Sequence, residues 1–146
     1  MFVKPFRYER AGTLAEAAAA LRVTDGTCKI LAGGQSLLPM MNLGVLDLDA
    51  VVDISHLDEL RGVTSEDGYL RIGALTRHCD LQADAQIKAP QPLLAAAAGY
   101  IGNLSTRVRG TLGGSLSHFD PAAELPWCMC ALWVEDAPLF GGALSC

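Results

Sequence analysis

Two glycine pairs, Gly33-Gly34 and Gly113-Gly114, stand eighty positions apart, and each is set beside small polar side chains. The first lies in KILAGGQSLLP (Lys29 to Pro39), where a short apolar run meets glycine and is followed by Gln35 and Ser36. The second lies in RGTLGGSLSHFDPAAELP (Arg109 to Pro126), flanked by Thr111 and Ser115. Glycine reaches positive φ without steric cost, so a pair lets the backbone turn sharply and lets a ligand approach its N–H groups. Successive N–H groups turned into one concavity bind anions such as a pyrophosphate. Gln35, Ser36, Thr111 and Ser115 would add side-chain donors; both pairs are expected to be sharp turns, and since most glycine pairs simply make turns, either one alone is only a weak signal of a ligand.

Composition narrows the partners. The chain has 146 residues, enough for a core and one domain of ordinary size. It is 51% hydrophobic and 18% charged, which is globular rather than disordered. Its net charge of −5 and the lack of a basic stripe with interleaved aromatics argue against nucleic acid. No apolar run reaches the roughly 18 residues a transmembrane helix needs. MFVKPFRYER has no apolar signal-peptide core, so the cytoplasm is the expected compartment. The cysteines, Cys28, Cys79, Cys128, Cys130 and Cys146, are odd in number and scattered, which reads as free thiols. Cys128-x-Cys130, in an apolar run, lacks the second pair of a zinc site and reads as buried free thiols, and His56 and His78 have no carboxylate or cysteine at ligand spacing, so no metal is expected.

The local pattern predicts an α+β fold. Thr13-Leu14-Ala15-Glu16 fits a capping box, opening a helix with Leu14, Ala17, Ala18 and Leu21 on one face and an end near Arg22. Asp25-Gly26 reads as a turn, and residues 28–32 and 50–55 as buried strands. Asp67-Gly68 sits between two strand-like runs, a hairpin signal. Thr76 is expected to cap a helix over 77–82, and Pro92 to start one that Gly102 ends. Residues 107–112 read as extended into the second glycine pair. Asp120 resembles an N-cap with Pro121 at the first helical position. Because proline is poorly tolerated deep in a helix, a turn at 121–125 and a separate helix from Pro126 to about Trp133 are predicted.

Familiar fingerprints are missing. There is no G-x-G-x-x-G after a strand, no G-x-x-x-x-G-K-[ST] and no G-x-S-x-G, so a nucleotide site would be neither Rossmann-like nor a P-loop, and no catalytic nucleophile is singled out. His118, Asp120 and Glu124 follow the second pair. A helix cap or a carboxylate at the positive end of a dipole explains the two acids as ordinary features. The functional alternative is a carboxylate that accepts hydrogen bonds from ribityl or ribose hydroxyls.

Taken together, AGGQSLLP and RGTLGGSLSHFDPAAELP, in this order and at this spacing, resemble the FAD-binding subunit of the molybdenum hydroxylases, such as the medium subunit of aerobic carbon monoxide dehydrogenase and the flavin part of xanthine dehydrogenase. PFRYERAGTLAEAAAAL and LRIGALTRH extend the similarity to about Leu132. The resemblance implies the PCMH-type, vanillyl-alcohol-oxidase-like fold, with FAD between two α+β subdomains. These would be 1–56 and 57–146, the second incomplete because family members run to roughly twice this length and carry a further C-terminal domain. It implies a first pyrophosphate loop of Leu31, Ala32, Gly33, Gly34, Gln35, Ser36 and Leu37 with Lys29 ahead of it. The second would be Thr111, Leu112, Gly113, Gly114 and Ser115, with Arg109 ahead of it, and Glu124 or Asp120 near the flavin's sugar-like chain. Val108 departs from the family, which carries a polar residue there.

In such complexes a large molybdopterin subunit hydroxylates the substrate, a small [2Fe-2S] subunit carries electrons, and the flavin subunit passes them to an acceptor. The cofactor does the redox chemistry and the protein supplies binding and electrostatics, so no acid–base triad is needed. Two other readings remain at this point: a truncated non-catalytic remnant, and a stand-alone FAD oxidase. The latter often attaches flavin through histidine, and the first loop contains none.

Overall fold

A computed structural model describes residues 3–23 and 26–132. Trp133, Cys146, the tail between them and Asp25 of the expected Asp25-Gly26 turn lie outside the described residues. Gly26 itself has φ +111°. Three strands form a parallel sheet in the order β1 (Arg7–Arg10), β3 (Ala50–Asp53), β2 (Cys28–Leu31). Tyr8 pairs with Val51, and Lys29 pairs with the same residue from the other side. Helix α1 (Leu14–Val23) makes the crossover from β1 towards β2. Its capping box forms as expected at Thr13, whose Oγ1 accepts from the Glu16 N–H at 3.1 Å. The Glu16 carboxylate reaches one residue further back, to the Gly12 N–H at 2.6 Å.

The central strand is buried along its whole length, as its apolar run requires. Side chains alternate between the faces of a strand. Val52 therefore meets Ala17 and Ala20 of α1, while Val51 meets Met41 and Leu48 on the other side. That second layer contains α2 (Leu37–Asn42), which starts three residues after the first glycine pair. The outer strand β2 is only partly buried, unlike the buried strand expected at 28–32, because it has a neighbour on one side alone.

After a 3₁₀ turn at Asp58–Leu60, β4 (Val63–Glu66) and β5 (Tyr69–Ile72) form the expected hairpin around Asp67-Gly68. It packs with α3 (His78–Ala83), α4 (Ala85–Lys88), α5 (Pro92–Tyr100), α7 (Leu112–His118) and α8 (Glu124–Ala131) around Leu81, Ile87, Leu94, Leu112 and Leu125. The short α6 (Leu104–Arg107) sits between α5 and α7. Leu57, Leu60 and Leu75 belong by packing to the cluster of the first sheet. The fold is α+β.

Several local expectations are corrected. Residues 107–112 are not one extended run: α6 includes Arg107, and only the short stretch at Thr111 bridges a strand-like partner, Arg77. Thr76 does not cap α3. Its hydroxyl is taken by the Gly62 carbonyl and N–H, and Arg77 occupies the N-cap. Asp120 caps a turn rather than a helix, accepting from the Ala122 N–H at 2.8 Å. The following helix starts at Glu124, not Pro126, and ends at Ala131; of its two cysteines Cys128 is buried as expected while Cys130, two positions on, is exposed. Pro126 is thus its third residue, where its missing N–H is one of the four that have no intrahelical partner. The same logic admits Pro39 into α2, a helix the proline concealed in the sequence.

Candidate functional site

The first glycine pair is the expected sharp turn at the carboxyl end of β2. Gly34 has φ +71°, and a Cβ built there would lie 2.9 Å from Leu38 Cδ1. From Gly33 to Ser36 no backbone N–H donates to another described residue. The local side-chain bond is a long one, from Gln35 Nε2 to the Gly33 carbonyl at 3.4 Å. Four successive donors thus have no partner among the described residues where the chain turns.

The second glycine pair is built differently, which corrects the expected turn. Gly113 and Gly114 are the second and third residues of α7, and Thr111 is its N-cap. Leu112 donates to the Thr76 carbonyl at 3.0 Å and Gly113 to that of Ala74 at 2.8 Å. Gly114 donates to Thr111 Oγ1 at 3.2 Å, and Ser115 to the Thr111 carbonyl at 3.0 Å. These N–H groups are committed to the fold. Glycine is needed at 113 for space, since a Cβ would fall 2.8 Å from that of Ala74.

The two segments touch. The space a Gly33 side chain would fill is occupied by the Arg109 carbonyl, with Gly110 Cα at 2.9 Å. That carbonyl also accepts a hydrogen bond from the Arg77 guanidinium. His78 N–H donates to the Gly110 carbonyl at 3.2 Å, so residues 74–78 form a rail along which 110–113 is laid. Burial, with Arg61 and Arg109 nearby, holds the Arg77 pKa below the usual arginine range.

A cleft of about 700 Å³ runs between the segments. Lys29, Ala32, Gly33, Gly34, Gln35, Ser36 and Leu37 line one part, and Thr111, Gly113, Gly114, Ser115, Asp120 and Glu124 another. Three expected residues do not line it. Leu31 packs in the layer beneath with Met41 and Val51, and Leu112 is buried in the helical core. Arg109 contributes its carbonyl to the junction while its side chain lies outside.

Sequence reasoning misses His78, because metal spacing is the only signal it offers there. The side chain is 4% exposed and lines the cleft, and its Nδ1 has no hydrogen-bond partner. Burial, and then the Arg77 charge, push its pKa down to about 4, so the ring is neutral near pH 7. Gly110 is missed as well. A Cβ there would lie 2.6 Å from the His78 ring, a contact that no local sequence signal reveals. Among the described residues no group of three or more His, Cys, Asp or Glu is placed to hold a metal, and no helix is long and apolar enough to cross a membrane.

Comparison with known proteins bears on what such a cleft holds. Residues 4–135 match the family described as the FAD binding domain in molybdopterin dehydrogenase. The chain belongs to this family. It is 42% identical to the glyceraldehyde dehydrogenase medium chain of Sulfolobus acidocaldarius over 132 residues, covering 90% of this chain and 47% of that one. It is 40% identical to the carbon monoxide dehydrogenase medium chain of Hydrogenophaga pseudoflava, covering 83% of this chain and 42% of that one. Among solved structures, quinoline 2-oxidoreductase from Pseudomonas putida 86 superposes with a TM-score of 0.85 at 33% identity, covering 90% of this chain and 46% of that one. This chain of the molybdopterin dehydrogenase FAD-domain family thus spans somewhat under half the length of these relatives.

The family's cofactor is FAD, and the residues present fit it. A dinucleotide needs a surface where its pyrophosphate can approach backbone N–H groups. The free donors of Gly33 to Ser36 provide one, with no Cβ at two of the four positions. The exposed carboxylates of Asp120 and Glu124 stand elsewhere on the cleft wall, suited to accept from sugar hydroxyls.

Proposed function

We propose that this chain forms part of the FAD-binding subunit of a molybdopterin-containing hydroxylase or dehydrogenase, and that the subunit carries electrons from iron–sulfur clusters through FAD to an acceptor. The observation that carries this reading is the run of four N–H groups from Gly33 to Ser36 with no partner among the described residues, in a segment lining a cleft whose other wall is the second glycine segment. Bound there, FAD accepts and releases electrons. The protein's own task is to hold and orient it. Ala32 to Ser36 receive the pyrophosphate, with Lys29 as a nearby cation and Leu31 and Leu37 supporting the loop. Thr111 and Ser115 add hydroxyl donors, while Leu112, Gly113 and Gly114 set the wall's shape. Arg109 fixes the junction through its carbonyl, and Glu124, with Asp120 beside it, accepts from the ribityl or ribose hydroxyls.

In this reading residues 1–56 and 57–146 are the two subdomains between which the flavin lies. The partners are a large molybdopterin subunit and a small [2Fe-2S] subunit, in the cytoplasm. The names of the relatives as medium chains support a hetero-oligomer. The test is an absorption spectrum of purified chain with and without added FAD, followed by gel filtration. Co-migrating yellow flavin is the expected result, and protein free of flavin at saturating FAD would overturn the reading.

A further inference from the structure

The two glycine segments meet at one peptide group. The oxygen of Arg109 fills the space a Gly33 side chain would take. That peptide, between Arg109 and Gly110, is held from both ends. Its N–H donates to the Thr106 carbonyl at 2.7 Å. No backbone N–H donates to its oxygen, which accepts from Nη1 of Arg77 instead. The backbone brings Arg77 there. Leu75 N–H donates to the Leu60 carbonyl at 2.7 Å and Leu112 N–H to that of Thr76 at 3.0 Å, so the chain around 60–62, 73–78 and 109–113 lies in neighbouring strips. Arg61, Arg77 and Arg109 come one from each strip. Arg61 is taken up by Asp58 at 3.3 Å, and Asp80, near Arg77, accepts from the Cys79 thiol. The Arg77 guanidinium has no carboxylate within ion-pairing distance, and the Arg109 oxygen is its one bonded partner among the described residues.

We propose that Arg77 is a positioning residue for the dinucleotide: its guanidinium holds the Arg109 carbonyl against Gly33 and so fixes the loop whose N–H groups receive the pyrophosphate. This rests on the FAD reading above. Arg77 does not line the cleft, so it acts through the junction and not on the ligand. Without it the Arg109 oxygen has no partner among the described residues, and the end of the peptide that touches Gly33 is released. A hydrogen bond from a charged donor is stronger than a neutral one, which suits it to pinning a single contact. The bond uses one nitrogen only, so it does not demand the planar fork of arginine, and a lysine can supply a charged donor in its place.

The experiment compares R77M and R77K with wild type. Flavin fluorescence quenching gives the FAD affinity and urea unfolding confirms that each chain is folded. NMR of the ¹⁵N-glycine-labelled, FAD-free chain reports the loop, with the Gly34 amide assigned from its loss in G34A. R77M, which removes the donor, should raise the FAD Kd about tenfold and move the Gly34 signal before any flavin is added. R77K should bring both back towards wild type. Arg77 is partly exposed and belongs to none of the hydrophobic clusters, so R77M is expected to fold. R77Q, whose amide ends short of the carbonyl, takes its place should it not. Unchanged affinity in R77M, lost affinity with the Gly34 signal unmoved, or a loss that R77K shares in full overturns the proposal and leaves the FAD reading intact. A wild-type chain that takes up no FAD overturns both.

Discussion

The two glycine pairs look alike in sequence and do different work. At Gly33-Gly34 the second glycine takes a positive φ, the first lies against the Arg109 carbonyl, and neither N–H has a partner among the described residues, so glycine serves conformation as well as close approach. At Gly113-Gly114 the backbone is helical and its N–H groups are already bonded, so glycine serves packing against residues 74–78. One pair leaves backbone donors open beside the cleft; the other lets a neighbouring segment pack close. Glycine repeats are thus ambiguous until their hydrogen bonds are counted, because conformational freedom and absence of bulk leave the same letter in the sequence.

Substitution separates the two roles. The largest effect is expected from Gly33→Val. Its side chain would enter the Arg109 carbonyl and Gly110 Cα, which are backbone and cannot swing aside. Overpacking of this kind costs about 1–3 kcal/mol of stability. The loop must also move off the second segment, so FAD Kd should rise about a hundredfold or more. Flavin fluorescence quenching measures the affinity and urea unfolding the stability. Near-native affinity would mean that contact between the segments is irrelevant to binding.

Gly113→Val comes next, with the emphasis reversed. Its Cβ would meet Ala74 Cβ at 2.8 Å and the Ala74 carbonyl at 2.9 Å, forcing the helix off its rail. Stability should fall by about 2 kcal/mol, within the overpacking range, while FAD affinity falls by only about tenfold because the free donors are untouched. If affinity drops as far as for Gly33→Val at the same stability loss, the second pair is a ligand cradle after all.

How far the molecule is legible in its sequence depends on the range of the interaction. The capping box at Thr13, the hairpin at Asp67-Gly68 and the α5 start at Pro92 are local signals, and each forms where expected. Strand β1 carries only Arg, Tyr and Glu at an exposed edge, so no apolar periodicity announces it. Helices α2 and α8 are hidden or shifted by prolines that sit harmlessly in their first turns. At the site, the two segments are legible as motifs, and the structure brings them to one cleft. The rail at 74–78, and with it His78 and Gly110, is not. It works through main-chain bonds and close contacts between residues more than thirty positions apart, which leave no local pattern.

Gly34→Ala tests the first pair through conformation alone. At φ +71° an alanine loses about 1–2 kcal/mol to the left-handed region. The nearest atoms to its Cβ are Leu38 Cδ1 and Cγ and Leu31 Cδ1, side-chain atoms rather than backbone. A loss of that size with FAD affinity weakened several-fold would tie positive φ to donor geometry. Unchanged stability would show that the turn does not need the left-handed state.

Gly114→Ala should do least, and that small effect is the sharpest discriminator. A Cβ at this position meets a single neighbour, Thr111 Oγ1 at 2.7 Å, so that buried hydroxyl has to turn aside. Rotation sacrifices the cap to the Gly114 N–H, worth about 1 kcal/mol. Alanine in place of glycine within a helix returns about 0.5–1 kcal/mol. The two nearly cancel, so the melting temperature and FAD affinity should stay close to wild type. A two-glycine turn with positive φ at 114 would instead make this change as damaging as Gly34→Ala, so equal losses at 34 and 114 would break the distinction drawn between the pairs.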